Sequence, residues 1–350
     1  MISLYIKNMG SRVNVHAFCF FLLLICVTVK AQDCDDLKAY KHPIAFNPAL
    51  YHASKINAEL VIDGKLDEQE WLDAESSEDF VDIEGELREM PERRTMVKML
   101  YDDEYLYIGA HMIEDHIWYS LTEKDAIIYR DDDFEIFIDA DGNGHNYHEF
   151  EFNANNTMLD LWMLVPYSIS QRPHYIIEWD AKGVKSATYL SGTVNDPSDI
   201  DSFWSIEIAI PLRTVGGKRD FWRIDFSRVD WLMDVIDGKY VKQKKQPERN
   251  WVWSPTGYID MHKPETWGYV AFDPEFEIGE EELFKWEMWK IYYSVRAFKR
   301  KKGYYPEDIV CLTSDSRIRI SVSEYGFDLI GQFGEHTWTI DKYALIRRNK

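Results

Sequence analysis

Tyr129-Arg130-Asp131-Asp132-Asp133-Phe134-Glu135-Ile136-Phe137-Ile138-Asp139 runs through Ala140-Asp141-Gly142-Asn143-Gly144-His145-Asn146 into Tyr147-His148-Glu149-Phe150-Glu151-Phe152-Asn153. Ala154-Asn155-Asn156-Thr157 then leads into Met158-Leu159-Asp160-Leu161-Trp162-Met163. Three segments of period-2 alternation are separated by Gly- and Asn-rich turns, the pattern of antiparallel neighbours. Phe134, Ile136 and Ile138 share one face, against Asp133, Glu135, Phe137 and Asp139. Phe150 and Phe152 oppose Glu149, Glu151 and Asn153. The third segment reads with Leu159, Leu161 and Met163 inward and Asp160 and Trp162 outward. The expectation is a half-buried sheet with one apolar face, and a second face of carboxylates, an amide and aromatics open to a polar ligand.

Outward from this stretch the same grammar repeats. Thr95 to Tyr101 and Tyr105 to Met112 make a hairpin about Asp102-Asp103-Glu104. Further strands are expected at Val184–Leu190, Phe203–Ile210, Phe221–Asp230 and Trp267–Phe272, separated by Gly, Pro and Asn-Asp-Pro-Ser breaks. Leu60-Val61-Ile62 reads as a strand before an Asp63-Gly64 turn and a helical turn that plants Trp71 inward. Lys239 to Asn250 reads as a charged, solvated loop. About ten short strands with few helices predict a mainly β fold, an antiparallel β-sandwich of the jelly-roll-like kind.

The composition changes after Pro274. Phe284, Met288, Ile291, Val295 and Phe298 recur at helical spacing, acidic Glu280–Glu282 open the segment and Lys299–Lys302 with Gly303 close it. A helix over 280–302, packed on the sandwich, is expected. Residues 316–347 then read as two β-hairpins, so the tail is a small α+β appendage.

At the other end, Lys7 and Arg12 precede the apolar run Ala17 to Val29 and the small-residue site Val29-Lys30-Ala31. This reads as a cleavable signal peptide, cut near Ala31 or Gln32, because the run is shorter than the roughly 20 residues that span a bilayer. The implied organisation is 1–32 signal peptide, 33–56 leader segment, 57–273 sandwich and 274–350 appendage, with no transmembrane segment in the mature chain. The location implied is periplasmic or extracellular. Of four cysteines, Cys34 and Cys311 outlast such a cleavage. They are too few for a Cys-ligated metal site, and their pairing is open.

The 350-residue chain carries a net charge of −21 with 15% aromatic residues, 13 of them Trp and 21 Tyr. That charge argues against nucleic acid as a partner. The aromatic wealth suits ring stacking and interfaces as well as core.

Ile62-Asp63-Gly64-Lys65-Leu66-Asp67-Glu68 with Trp71, the hairpin Tyr101–Ile108, Asp132-Asp133-Phe134-Glu135-Ile136-Phe137-Ile138-Asp139, and Trp253-Ser254-Pro255 followed by Trp267-Gly268 together resemble a family 9 carbohydrate-binding module. The resemblance covers about residues 57–272 and is closest to free-standing secreted proteins with a helical tail. It implies a β-sandwich, bound calcium and a sugar site without catalysis. In the family two tryptophans clamp the sugar. Tyr129 stands at the first position, and no tryptophan stands at the second, near Met261 and His262. Glu135 matches a family carboxylate, and Glu151 falls where the family has an arginine.

The candidate ligand-binding residues are accordingly Tyr129, Arg130, Glu135, Glu149, Glu151, Asn153, Trp162, Arg228, Trp253 and His262. Glu135, Glu149, Glu151 and Asn153 would form a hydrogen-bonding floor with Tyr129 or Trp162 as the stacking wall, and Arg228 would pair one of the carboxylates. Asp139-x-Asp141-x-Asn143-Gly144 has the oxygen spacing of a calcium loop, but Phe150 at position 12 excludes an EF-hand; a plain Asp-Gly turn is the alternative. The function expected is a secreted, non-catalytic protein that binds oligo- or polysaccharide. Three other readings stay open: an interaction module of the same fold that has lost sugar binding and takes a protein partner, through this face or the C-terminal region; a glycoside-active enzyme using paired carboxylates; and a haem-binding sandwich using Met261 with His262.

Overall fold

The structure, a computed structural model, describes residues 33–349. The signal-peptide reading of 1–32 lies outside the described residues. From residue 50 onward the elements in chain order are β1 (Leu50–His52), β2 (Ser54–Lys55), helix α1 (Gln69–Asp73), β3 (Val81–Asp82), β4 (Thr95–Tyr101) and β5 (Tyr105–Ile113). The quoted stretch gives β6 (Asp133–Asp139), β7 (Tyr147–Asn153) and β8 (Met158–Met163), followed by β9 (Tyr175–Ile176). Then come β10 (Lys185–Ser191), β11 (Phe203–Pro211), β12 (Phe221–Asp230), β13 (Met233–Ile236), β14 (Lys239–Lys242), β15 (Arg249–Val252) and β16 (Gly268–Ala271).

One sheet has the order β1-β16-β12-β6-β7-β8-β9, with β15 on β12 and β3 on β15; the facing sheet has the order β10-β11-β5-β4-β2. All pairings are antiparallel except β1 with β16 and β2 with β4. The two sheets close a β-sandwich, as the alternation predicts. Phe134, Ile136, Ile138, Phe150 and Phe152 of the first sheet meet Val97, Met99, Ile108, Ile206 and Ile208 of the second. Burying each such side chain contributes roughly 1.5–3 kcal/mol. The segment read as a leader supplies β1 and β2. Lys239 to Asn250 is not a plain loop, since β13–β14 form a hairpin and β15 joins the large sheet.

No strand forms at 60–62. That segment instead crosses the outside of the smaller sheet and is pinned by Glu207 of β11. The Glu207 carboxylate accepts from Asp63 N (2.8 Å), Gly64 N (2.7 Å) and Trp71 Nε1 (2.7 Å). Gly64 has φ +88°, and a Cβ there would lie 2.4 Å from the Thr188 carbonyl carbon, so only glycine fits.

The appendage consists of α2 (Glu280–Lys302) and a meander of β17 (Ile318–Ser323), β18 (Gly326–Phe333), β19 (His336–Asp341) and β20 (Ile346–Asn349). The helix ends on Gly303 in the left-handed region, as its composition predicts. Its apolar stripe faces the meander more than the sandwich: Phe284, Met288, Tyr292 and Val295 share a core with Phe327, Leu329 and Ile340. The appendage touches the sandwich through polar bonds, including Tyr269 Oη to Glu282 Oε2 (2.8 Å) and Ile346 N to Asn143 O (3.0 Å).

The large sheet is covered on both faces. Every position of β6 and β7 is buried. Outside it, Phe137, Tyr147, Leu159, Leu161 and Met163 form a second apolar layer with Met261 and Trp267 from the loop before β16. The expectation of a half-buried sheet with Leu159, Leu161 and Met163 inward is corrected on both counts. The register sets Glu149 opposite Leu161 and Glu151 opposite Leu159, so the leucines share the carboxylates' face.

Candidate functional site

A cleft of about 320 Å³ opens on this outer face. Its floor is made by adjacent strands. Glu135 of β6 stands directly opposite Glu151 of β7, and Phe137 opposite Glu149. Leu159 and Leu161 of β8 extend the floor as an apolar strip, and Val229 of β12 borders it. Like charges directly opposite one another are unfavourable in a sheet, while the reverse faces of the same strands pair Phe134 with Phe152 and Ile136 with Phe150.

The rim is aromatic. Tyr129, in the 3-10 turn before β6, is 41% exposed; Tyr167 and Tyr175, flanking the 166–175 loop, are 43% and 40% exposed. All three line the cleft. The opposite rim holds Asp260, Met261 and His262. The His262 Nδ1 lies 2.8 Å from the Tyr147 hydroxyl, and its ring meets Tyr167 edge-on at 4.4 Å. Burial pushes the His262 imidazole down to about 4, so it is neutral at physiological pH. No lysine or arginine lines the cleft among the described residues.

Among the described residues, no lysine or arginine pairs with Glu135, Glu149 or Glu151. Burial raises Glu135 to about 7 and Glu151 to about 8, the latter with help from the Glu135 charge. Burial also lifts Glu149 and Asp133 well above the usual carboxylate range, with their acidic neighbours adding to it. The Glu151 Oε2 accepts from Tyr129 N at 2.9 Å, which ties the rim tyrosine to the floor. Asp133 Oδ2 and Glu149 Oε2 have no hydrogen-bond partner among the described residues.

Of the residues singled out in the sequence, Tyr129, Glu135, Glu149, Glu151 and His262 converge on the cleft. The others do not. Trp162 lies on the reverse face of β8, opposite His148, with the rings parallel at 6.4 Å. It cannot be the stacking wall. Arg228 is also on the reverse face, opposite Phe134, and is 1% exposed. Its guanidinium pairs Glu114 at 2.6 Å and bonds Thr95 Oγ1 and the Ile113 carbonyl, so it answers none of the floor carboxylates. Trp253 packs on Phe226 in the inner core and covers Gly268, where a Cβ would fall 2.4 Å from the indole. Asn153 is on the expected face but is spent on Leu121 O, Asp131 and the Asn155 and Thr157 amides. Arg130 is exposed beside the rim without lining the cleft.

The Asp139–Gly144 turn closes on itself. Asp139 accepts from Gly142 N (2.9 Å) and Gly144 N (2.7 Å), Asp141 from Asn143 N (3.2 Å), and Asn143 from His145 N (2.7 Å). These are the bonds of an Asp-Gly turn. Tyr167 and Tyr175 were not singled out by the pattern. Tyr167 lies in the Pro-bounded loop and Tyr175 opens the two-residue β9 just after it, segments too short and irregular for periodicity, and only the fold brings both to the cleft.

An antiparallel β-sandwich that carries an acidic, tyrosine-rimmed cleft on one sheet face is thus the class of protein the fold and the site define. The chain belongs to the carbohydrate family 9 binding domain-like family, whose model matches residues 62–272. A comparison with curated proteins found no match. Among solved structures, a candidate carbohydrate-binding protein from Bacteroides uniformis ATCC 8492 is similar at 15% identity and TM-score 0.48, covering 65% of this chain and all of its own. A family 9 carbohydrate-binding module from Caldicellulosiruptor kristjanssonii in complex with cellotriose is similar at 15% identity and TM-score 0.44, covering 66% of this chain and 96% of its own. The same organism's module in complex with glucose covers 65% and 97%, also at 15% identity and TM-score 0.44.

Proposed function

We propose that the cleft binds a carbohydrate and that the protein is an exported, non-catalytic binding module. The observation that carries the reading is the pairing of half-exposed tyrosine rings with a floor of buried acceptors. Sugar rings present apolar C–H faces and polar edges, so stacking on Tyr129, Tyr167 or Tyr175 satisfies the one and Glu135, Glu149 and Glu151 the other. Catalysis is disfavoured by geometry. A glycosidase pair flanks the scissile bond, whereas these carboxylates project from neighbouring strands on the same face. The leucines beside them leave an apolar strip for a second sugar face.

The test is calorimetric titration of the full chain with neutral oligosaccharides, beginning with glucose and cellotriose. Saturable binding that Tyr129→Ala weakens about tenfold supports the reading. No heat with any member of a broad glycan panel, from a protein that melts cooperatively, overturns it. Sugar hydrolysis abolished by Glu135→Gln would establish an enzyme instead.

A further inference from the structure

Two rims of the cleft come from loops with no regular structure of their own. One, residues 164–174, presents Tyr167 between Pro166 and Pro173; the other, residues 256–263, presents Asp260, Met261 and His262. They meet where the His262 ring lies edge-on to Tyr167 at 4.4 Å. Irregular loops keep a ring in one place only where contacts from outside them fix the backbone.

Helix α2 of the C-terminal appendage touches both. Val165 and Ile169, two residues either side of Tyr167, are buried in the apolar core of the helix with Tyr292 and Val295, not in the core of the sandwich. Between them, Arg296 Nη2 donates to the Ser168 carbonyl at 2.8 Å. Tyr167 therefore projects from a turn anchored at 165, 168 and 169, with its ring left half-exposed in the cleft. On the other loop, the Tyr293 hydroxyl donates to Glu265 Oε1. The Lys263 ammonium lies over the rings of Tyr258 at 4.7 Å and Tyr293 at 5.1 Å, and Lys263 directly follows His262. Tyr40 closes the group, stacked on Tyr293 at 5.4 Å with its hydroxyl 2.8 Å from that of Tyr258. Tyr293 and Arg296 stand three positions apart on one helix, so a single rigid element carries the anchors of two loops far apart in the chain.

We propose that helix α2 is a positioning element of the cleft: through Arg296 and Tyr293 it holds the loops of Tyr167 and His262 in place, and so sets the affinity of a site to which the appendage gives no lining residue among those described. Neither Arg296 nor Tyr293 lines the cleft; each acts through the backbone of a loop that does. A helix that only covered the sandwich would turn its apolar stripe toward it. This one turns the stripe to its own meander and sends Tyr293 and Arg296 to the two loops. A ring already held in its bound place loses less freedom when a ligand stacks on it, so freeing Tyr167 should cost about three- to tenfold in affinity. The ligand rests on the carbohydrate reading, but the state of the loops is measured without sugar.

Amide hydrogen exchange of the full chain, read by mass spectrometry, is compared among wild type, Arg296→Ala, Arg296→Lys and Tyr293→Phe, alongside calorimetric titration with cellotriose. Arg296→Ala is expected to speed exchange about tenfold in peptides covering 164–174 and to weaken cellotriose about three- to tenfold, with helix α2 exchanging as in wild type. Arg296→Lys can still donate to the Ser168 carbonyl and is expected to restore both. Tyr293→Phe keeps the ring and loses the hydroxyl, and is expected to loosen 256–263 in the same way. Variants on two loops protect the test should one fail to fold, which its melting curve shows. Wild-type exchange of both loops in both variants overturns the proposal. So does a loosened loop with unchanged cellotriose affinity, which would make the helix a brace for the loops alone. Faster exchange of α2 itself, with affinity that lysine fails to restore, marks a helix defect and also overturns it. A wild type that binds no sugar in the glycan panel rejects the carbohydrate reading instead, and loop exchange then decides the role of the helix by itself.

Discussion

Replacing Glu149 by glutamine is expected to make the protein more stable and a poorer binder. Glu149 is 5% exposed, faces Phe137 across the strand pair, and has no hydrogen-bond partner for Oε2 among the described residues. No cationic side chain pairs with it among the described residues. A buried acceptor left unsatisfied costs about 1–3 kcal/mol, and more when charged. Glutamine keeps the shape, never carries the charge that burial disfavours at this position, and offers N–H groups to the carboxylates beside it. In metal-free buffer near neutral pH the variant should therefore gain about 1–3 kcal/mol. At roughly 2–4 °C per kcal/mol for a chain of this size, the rise in melting temperature is easily measured. Thermal unfolding followed by circular dichroism in EDTA gives the stability, and calorimetry with the tightest-binding sugar gives the function. Affinity should fall as stability rises, the exchange found where a binding site is built from strained polar groups. A loss of 1 kcal/mol or more in the melting experiment would refute the reasoning, because it would show that the carboxylate is satisfied within the fold.

Acidic oligosaccharides should bind at least tenfold more weakly than their neutral counterparts, because Glu135, Glu149, Glu151, Glu248 and Asp260 all line the cleft; equal affinity for a uronate and its parent sugar would contradict this. Burial raises Glu207 from its usual 4.5 to about 7. Its contribution to stability is therefore fully present below pH 4.5 and lost as the pH rises through 7, amounting to at most about 3 kcal/mol. Urea unfolding at pH 5 and pH 8 should show wild type losing more stability over that interval than Glu207→Gln, and identical losses would reject the assignment. Cys34 and Cys311 are both free thiols, and burial together with the neighbouring Cys34 raises the Cys311 thiol to about 11. Oxidised glutathione should join them. Closing a ring that spans most of the chain should stabilise it on the order of 5 kcal/mol by chain entropy. Two thiols still reactive after oxidation, with no shift in melting, would sink that expectation.

Much of the fold is legible in single segments because one local rule governs each. The 280–302 helix carries its stripe, its acidic start, its basic end and its glycine stop in one run, and both ends fall where those signals place them. Phe134, Ile136, Ile138, Phe150 and Phe152 face the inner core because strand alternation is fixed by backbone geometry. Where both faces of a strand are apolar, alternation gives two classes of side chain without saying which class is inside. On β8 the choice is made by the covering loop. Met261 and Trp267 bury Leu159 and Leu161, so the leucines point outward and Trp162 inward.

The sequence alone determined the sandwich, the helix and the carboxylates at alternate positions of β6 and β7. All of these depend on periods of a few residues and on turn chemistry between neighbours. Tertiary structure decided which charges find partners and which aromatics reach the cleft. Arg228 serves Glu114 rather than the floor, and Tyr167 and Tyr175 complete a rim on which the sequence shows only Tyr129. Such contacts join residues far apart in the chain, and their geometry is set by the packing of whole sheets and loops, which no local pattern encodes.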